Sequence, residues 1–214
     1  MRIREPRLSA TFKAIIVLAG IIGILLQVGV FDGVLRLSVF NYYTLLSNVL
    51  VTLYFIPASF YAARDDRTWQ PQLKGAVTMG ITVTFLIYHF ALAGNFAMEG
   101  TQAWSNRLLH YIVPLMAIAD WLFFSDKGEL TWYSPLLWVL LPDLYFIYVQ
   151  LRLAFGASLG TGSRYPYYFI DVDALGWGQV LLNGLLINLA FIVLGYVVVL
   201  IDYLLARQRA TSEA

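Results

Sequence analysis

The chain has no cysteine. That excludes disulfides, thiolate nucleophiles and thiolate metal sites, and it leaves the redox compartment open. Charge is scarce too: 13% of the 214 residues are Asp, Glu, Lys or Arg, where a soluble domain of this length carries about 25%. The formal net charge is +1, so no basic field points to nucleic acid, and none is expected as a partner. Imidazoles are limited to His89 and His110. No internal repeat stands out, which disfavours a transporter built from duplicated halves.

What remains is apolar. Hydrophobic residues make up 60% of the sequence, and a helix needs roughly 20 of them in a row to cross a hydrocarbon core of about 30 Å. Six stretches qualify, at about 12–31, 39–61, 75–94, 108–124, 135–155 and 178–202. The expected fold is therefore all-α: one domain over 1–214, a bundle of six transmembrane helices. The first apolar run is too long for a typical signal-peptide core and has no small-residue cleavage motif before Asp32, so it is expected to be a retained helix. Ten of the fourteen lysines and arginines, from Arg2 to Arg209, fall on the side of the termini, and only Arg36, Arg107, Arg152 and Arg164 fall on the other. The positive-inside rule then puts both termini in the cytoplasm. It also puts the long Gly- and Tyr-rich connection at 156–177 outside, as a lid, a rim or an inert plug.

Two apolar stretches carry polar groups just inside one end. In "FNYYTLLSNVL" (40–50) Thr44 falls about 8 Å below the outer boundary by helix rise, and in "NRLLHYIVPL" (106–115) His110 falls roughly 5 Å down. His89 and Asn183 reach a comparable level on two further helices. Four helices thus contribute polar groups to one layer, where they can form one site. Each has a structural alternative. A threonine in a membrane helix commonly bonds back to a carbonyl three or four residues earlier. Ser47 and Asn48 follow Thr44 on the same face and suit interhelical packing. An imidazole inside the bilayer is costly and points to function.

Two acids lie deeper. Asp120 is ten residues beyond His110, about 15 Å further in and off its face, so it does not orient that imidazole. Asp143, after Pro142, is expected at a level within reach of Asp120. The pair either supports structure, for instance by bonding Tyr145, or relays protons.

The strings "YYTLLSN", "VTFLIYHF", "LLHYIVPLMAIADWLFF" and "YPYYFIDVDALGWGQVLLN" resemble the bacterial predicted six-transmembrane membrane protein family. Through it they are distantly similar to the androgen-induced-gene family of multi-pass threonine hydrolases, which cleave fatty-acid esters of hydroxy fatty acids. That family's histidine lies in an N-H-x-x-H-T-x-x-x-P-like pattern. Asn106 and His110 match it, with Pro114 one residue before the pattern's proline, while Arg107 replaces the first histidine and Tyr111 the threonine. The resemblance implies a Thr44 nucleophile with a His110 base, no cofactor, a lipid or fatty-acyl ester substrate among membrane lipids, and a place in the bacterial inner (plasma) membrane. Asn48, Asn106, His89 and Tyr88 are candidates for supporting the reaction. Two rivals stand beside it. A small-molecule or lipid transporter would bind its cargo in the same layer, with Asp120 and Asp143 as a proton path. A metal site would join His89 and His110 to Asp171 or Asp173 from the long connection.

Overall fold

A computed structural model describes residues 3–65, 67–93, 98–160 and 163–212. Of the residues that set the expected helix limits and charge balance, Arg2, Gly94 and the Arg209 side chain lie outside this set. Six helices are long and apolar enough to cross a membrane: α1 (Pro6–Val28), α2 (Tyr43–Ala62), α3 (Pro71–Leu92), α4 (Gly100–Phe124), α5 (Ser134–Ala154) and α6 (Val172–Gln208). Among the described residues there is no strand. The chain is a multi-pass, all-α integral membrane protein. Several helices begin before their apolar runs do, because the start is set by local chemistry and not by hydropathy. Pro6, Pro71 and Pro135 each sit in a first helical turn, where the missing N–H costs nothing and the fixed φ fits. α1 stops at Gly29, whose φ of 86° lets its N–H close on the Leu25 and Leu26 carbonyls.

The first four helices form the tight part of the bundle. Ile16, Val51, Phe55, Ile81, Val113 and Ala117 make its core. α1 approaches its neighbours through glycine: a Cβ on Gly23 would come within 2.6 Å of Leu109 Cδ2 on α4. Close backbone approach at small residues is the main packing device where lipid removes the hydrophobic drive between helices. α5 and α6 are attached more loosely. Met79 and Val83 of α3 pack with Trp138, Val139 and Phe191, but α6 meets α5 mainly at Ser134–Trp138 and separates from it beyond. The connection between them folds back over the gap as a packed plug. Its Leu159, Tyr165 and Ile170 join Val149, Leu153 and Val180 in a second core, and Asn183 Nδ2 donates to the Phe169 carbonyl at 2.9 Å.

Two helices are locally widened. Tyr88–Leu92 in α3 and Leu108–Ile112 in α4 are π-helical turns, a rare geometry found mostly at functional sites. Each holds one of the two histidines.

The deep acids do not meet. Asp120 is fully buried between two lysines, with Lys13 Nζ at 2.8 Å on one carboxylate oxygen and Lys74 Nζ on the other. Asp143 accepts instead from Asn188 Nδ2 at 2.8 Å. Lys13 and Lys74 are among the ten charges on the side of the termini. Inside the helices, their long side chains reach the carboxylate from α1 and α3.

The charge asymmetry also sets an expectation for orientation. In a chain without cysteine, Cys at Ser163 should react with an impermeant thiol reagent on intact cells, and Cys at Thr211 only after permeabilisation. The reverse pattern would overturn the inside placement of the termini.

Candidate functional site

Thr44 lies in the first turn of α2. That position separates it from other threonines in the bundle. Thr52, Thr82 and Thr84 bond back to the carbonyls of Asn48, Thr78 and Gly80, as threonines in membrane helices do. Thr44 has no helical turn behind it, and its hydroxyl faces His110 Nε2 at 3.3 Å. The other ring nitrogen, Nδ1, lies 3.2 Å from the Asn106 carbonyl. A carbonyl only accepts, so Nδ1 carries the proton and Nε2 presents its lone pair to the hydroxyl. The imidazole is thus oriented by a backbone carbonyl, where the sequence offered no carboxylate.

The π turn explains how Asn48 enters. In it the Val113 N–H reaches back to the Leu108 carbonyl, one residue further than in an α-helix. The Leu109 carbonyl loses that donor, and the next residue, Pro114, has no N–H. Asn48 Nδ2 fills the vacancy at 3.0 Å and also holds the Thr44 carbonyl at 2.8 Å. One buried amide therefore clamps the turn bearing the hydroxyl to the turn bearing the imidazole. Ser47 ties the same turn to α3, donating to the Thr44 carbonyl at 3.0 Å and pairing with Thr84 at 2.9 Å.

Tyr88 covers the imidazole, with ring centroids 3.8 Å apart, and its oxygen accepts from Asn106 Nδ2 at 2.7 Å. Thr44, His110, Asn48, Asn106 and Tyr88 are thus brought together. His89 and Asn183 are not. Helix rise gives depth, but each residue also turns the helix by about 100°. Tyr88 therefore faces the site, while His89 is exposed and meets the Tyr111 hydroxyl at 3.3 Å. Asn183 holds the α5–α6 connection. Arg107 is exposed and stacks over Trp104, clear of the imidazole.

Tyr167, from that connection, was not singled out by the sequence. Its ring packs against Tyr42, Tyr145 and Phe169. Its hydroxyl lies beside the Thr44 side chain and the Thr44 and Tyr43 backbone N–H groups. Those N–H groups belong to the first turn of α2, where no carbonyl of the helix can take them. Burial pushes the Tyr167 phenol up to about 12, with the neighbouring Thr44 and Tyr43 groups pulling the other way. It stays a neutral donor at physiological pH. The only pointer in the sequence was the tyrosine-rich composition of "YPYYFI".

Two cavities meet here. One, of about 260 Å³, runs between α3, α5 and α6; the other, of about 250 Å³, lies between α2, α4 and the connection. Thr44, Tyr88, Leu92 and Tyr167 line both. Among the described residues no three His, Asp or Glu side chains converge as a metal site would require. Asp171 takes the Ser163 hydroxyl and Asp173 the Arg164 guanidinium.

No family model, curated protein or solved structure matches this chain. What the site does must be argued from its own geometry.

Proposed function

We propose that this protein hydrolyses lipid or fatty-acyl esters within the membrane, with Thr44 as nucleophile and His110 as general base. The observation that carries this reading is the Thr44 hydroxyl, 3.3 Å from a lone-pair-bearing imidazole nitrogen, at the junction of two apolar cavities. A threonine hydroxyl is a weak nucleophile and needs a base at about this range, which often tightens when substrate binds. Two apolar arms meeting at one hydroxyl suit an ester with an acyl limb and an alcohol limb.

In the first step Thr44 Oγ1 attacks the acyl carbon and passes its proton to His110 Nε2. The carbonyl oxygen becomes an oxyanion. The Tyr167 hydroxyl, beside the first-turn N–H groups of α2, is the donor at hand, with the positive end of the helix dipole behind it. Collapse expels the alcohol, which takes the proton from His110, and leaves an acyl-threonine. Water then attacks that ester with His110 again as base, releasing the fatty acid and restoring the hydroxyl. The Tyr88 ring keeps the imidazole in place throughout.

A proton-coupled transporter is less well supported. The acids it would link are held apart, one by lysines of α1 and α3 and the other by Asn188 of α6.

A lipid-like fluorophosphonate tests the reading. Purified protein should gain one phosphonyl group, located on Thr44 by peptide mass analysis, and Thr44→Ala should stay unlabelled. An adduct on another residue, or equal labelling of the variant, would sink the mechanism.

A further inference from the structure

The arm between α3, α5 and α6 is apolar along most of its wall, with Val83, Ile87, Phe146 and Leu185 among its lining residues. Asp143 and Asn188 interrupt it. Asn188 Nδ2 donates to Asp143 Oδ1 at 2.8 Å, which uses one oxygen of the carboxylate. Asp143 Oδ2 and Asn188 Oδ1 have no hydrogen-bond partner among the described residues. Both are acceptors, and both belong to side chains that line the cavity. A carboxylate at this depth is costly unless its lone pairs are met.

Position fixes how far they lie from the reacting hydroxyl. Thr44 is in the first turn of its helix, at the end of the bundle where α5 finishes. Asp143 lies two residues before Tyr145, whose ring packs against Tyr43 and whose hydroxyl donates to the Asn41 carbonyl at 2.8 Å, so it is deeper than Thr44 by one to two helical turns, about 5–10 Å. Anything that meets the pair while its ester sits at Thr44 must reach it along an extended apolar limb.

We infer that this arm receives a long acyl chain bearing a hydroxyl group well away from its ester end, and that Asp143 and Asn188 accept the hydrogen bond from that hydroxyl. The inference rests on the ester-hydrolase reading for the placement of the ester, and it names the substrate class within that reading. A bare hydrocarbon tail would leave both acceptors unmet. A hydroxyl is small enough to travel along an apolar arm and supplies the donor the pair lacks. A purely structural role, as a polar tie between α5 and α6, leaves those two acceptors without a partner among the described residues. It also acts where the helices have already separated.

The experiment compares two chromogenic long-chain esters that differ only by a mid-chain hydroxyl. The readout is the ratio of their kcat/KM values within each protein, which cancels differences in folded fraction. Wild type should favour the hydroxylated ester by about tenfold or more, the worth of one hydrogen bond to a charged acceptor. Asp143→Leu should bring the ratio to about one. Asp143→Asn, which keeps the shape, should lower it too, because it weakens the acceptor. A wild-type ratio near one, or a ratio unchanged in both variants, would overturn the inference. Binding separates its fate from that of the hydrolase reading. The matching free fatty acids, with and without the hydroxyl, are titrated against protein in detergent and read by thermal shift. If no ester is turned over yet the hydroxylated acid stabilises wild type more than Asp143→Leu, the hydrolase reading fails and the arm's selectivity stands. If esters are turned over and both acids stabilise equally, the selectivity fails and the hydrolase reading stands.

Discussion

Alanine at Thr44 or at His110 is expected to lower ester turnover by about a thousandfold, within the range a positioned general base contributes. The double variant should fall little further. The two side chains share one proton transfer, so removing either leaves the other without a task, and their effects are strongly non-additive. Thr44→Ser keeps the hydroxyl but loses the methyl that fixes its rotamer, so it should retain part of the rate. Turnover should also fall in acid as His110 is protonated, because Nε2 then has no lone pair for the hydroxyl. Neither alanine empties a large volume, and circular dichroism in detergent should show an unchanged helix content. The measurement is kcat for wild type and the four variants on a panel of acyl esters. Full turnover by Thr44→Ala, or a double variant that multiplies the two single losses, would remove the dyad.

The Thr44–His110 pair was legible because rise along a helix is fixed at about 1.5 Å per residue. Six apolar runs set the depth scale, and two polar groups on separate helices came out level. Depth is only half of a position. His89 shares the level but not the face, and its neighbour Tyr88 takes the place against His110. The π turns at Tyr88–Leu92 and Leu108–Ile112 shift the register further, and the hydropathy pattern carries no trace of them. Pro114 was a partial signal. A proline frees a carbonyl upstream, and Asn48, four residues after Thr44, had the amide to meet it. Tyr167 was out of reach, since a loop's path over the bundle has no period to count. The inward turn of two lysines was out of reach for a related reason. Lys13 and Lys74 stand near helix starts, where charge normally flanks the bilayer, and nothing local reveals that both turn inward to one aspartate.

That aspartate should be the most sensitive single position for stability. Asp120 is fully buried, and the side chains of Lys13 and Lys74 are 7% and 1% exposed. Two lysines thus share one carboxylate, with Ser9 Oγ also accepting from Lys13 at 2.8 Å. Asp120→Asn removes the only negative charge of the three and leaves two ammonium groups facing each other. Breaking a buried pair in this way costs about 3–5 kcal/mol, most of it from the charge left unpaired. Lys13→Met has the opposite character. It leaves Lys74 and Asp120 as a neutral pair and puts a flexible apolar chain beside Phe124, so its cost should be much smaller. The triple variant Lys13→Met, Asp120→Leu, Lys74→Met removes all three charges and should recover most of the loss, since apolar replacements of buried ion clusters are often neutral or better. Thermal melts in detergent give the order: the triple variant and Lys13→Met near wild type, Asp120→Asn far below. The folded fraction of Asp120→Asn should still turn over an ester, because no part of this cluster touches Thr44 or His110. If Asp120→Asn melts with wild type but abolishes proton-coupled uptake of a solute, the cluster is a proton relay, and the transporter becomes the better account of the bundle.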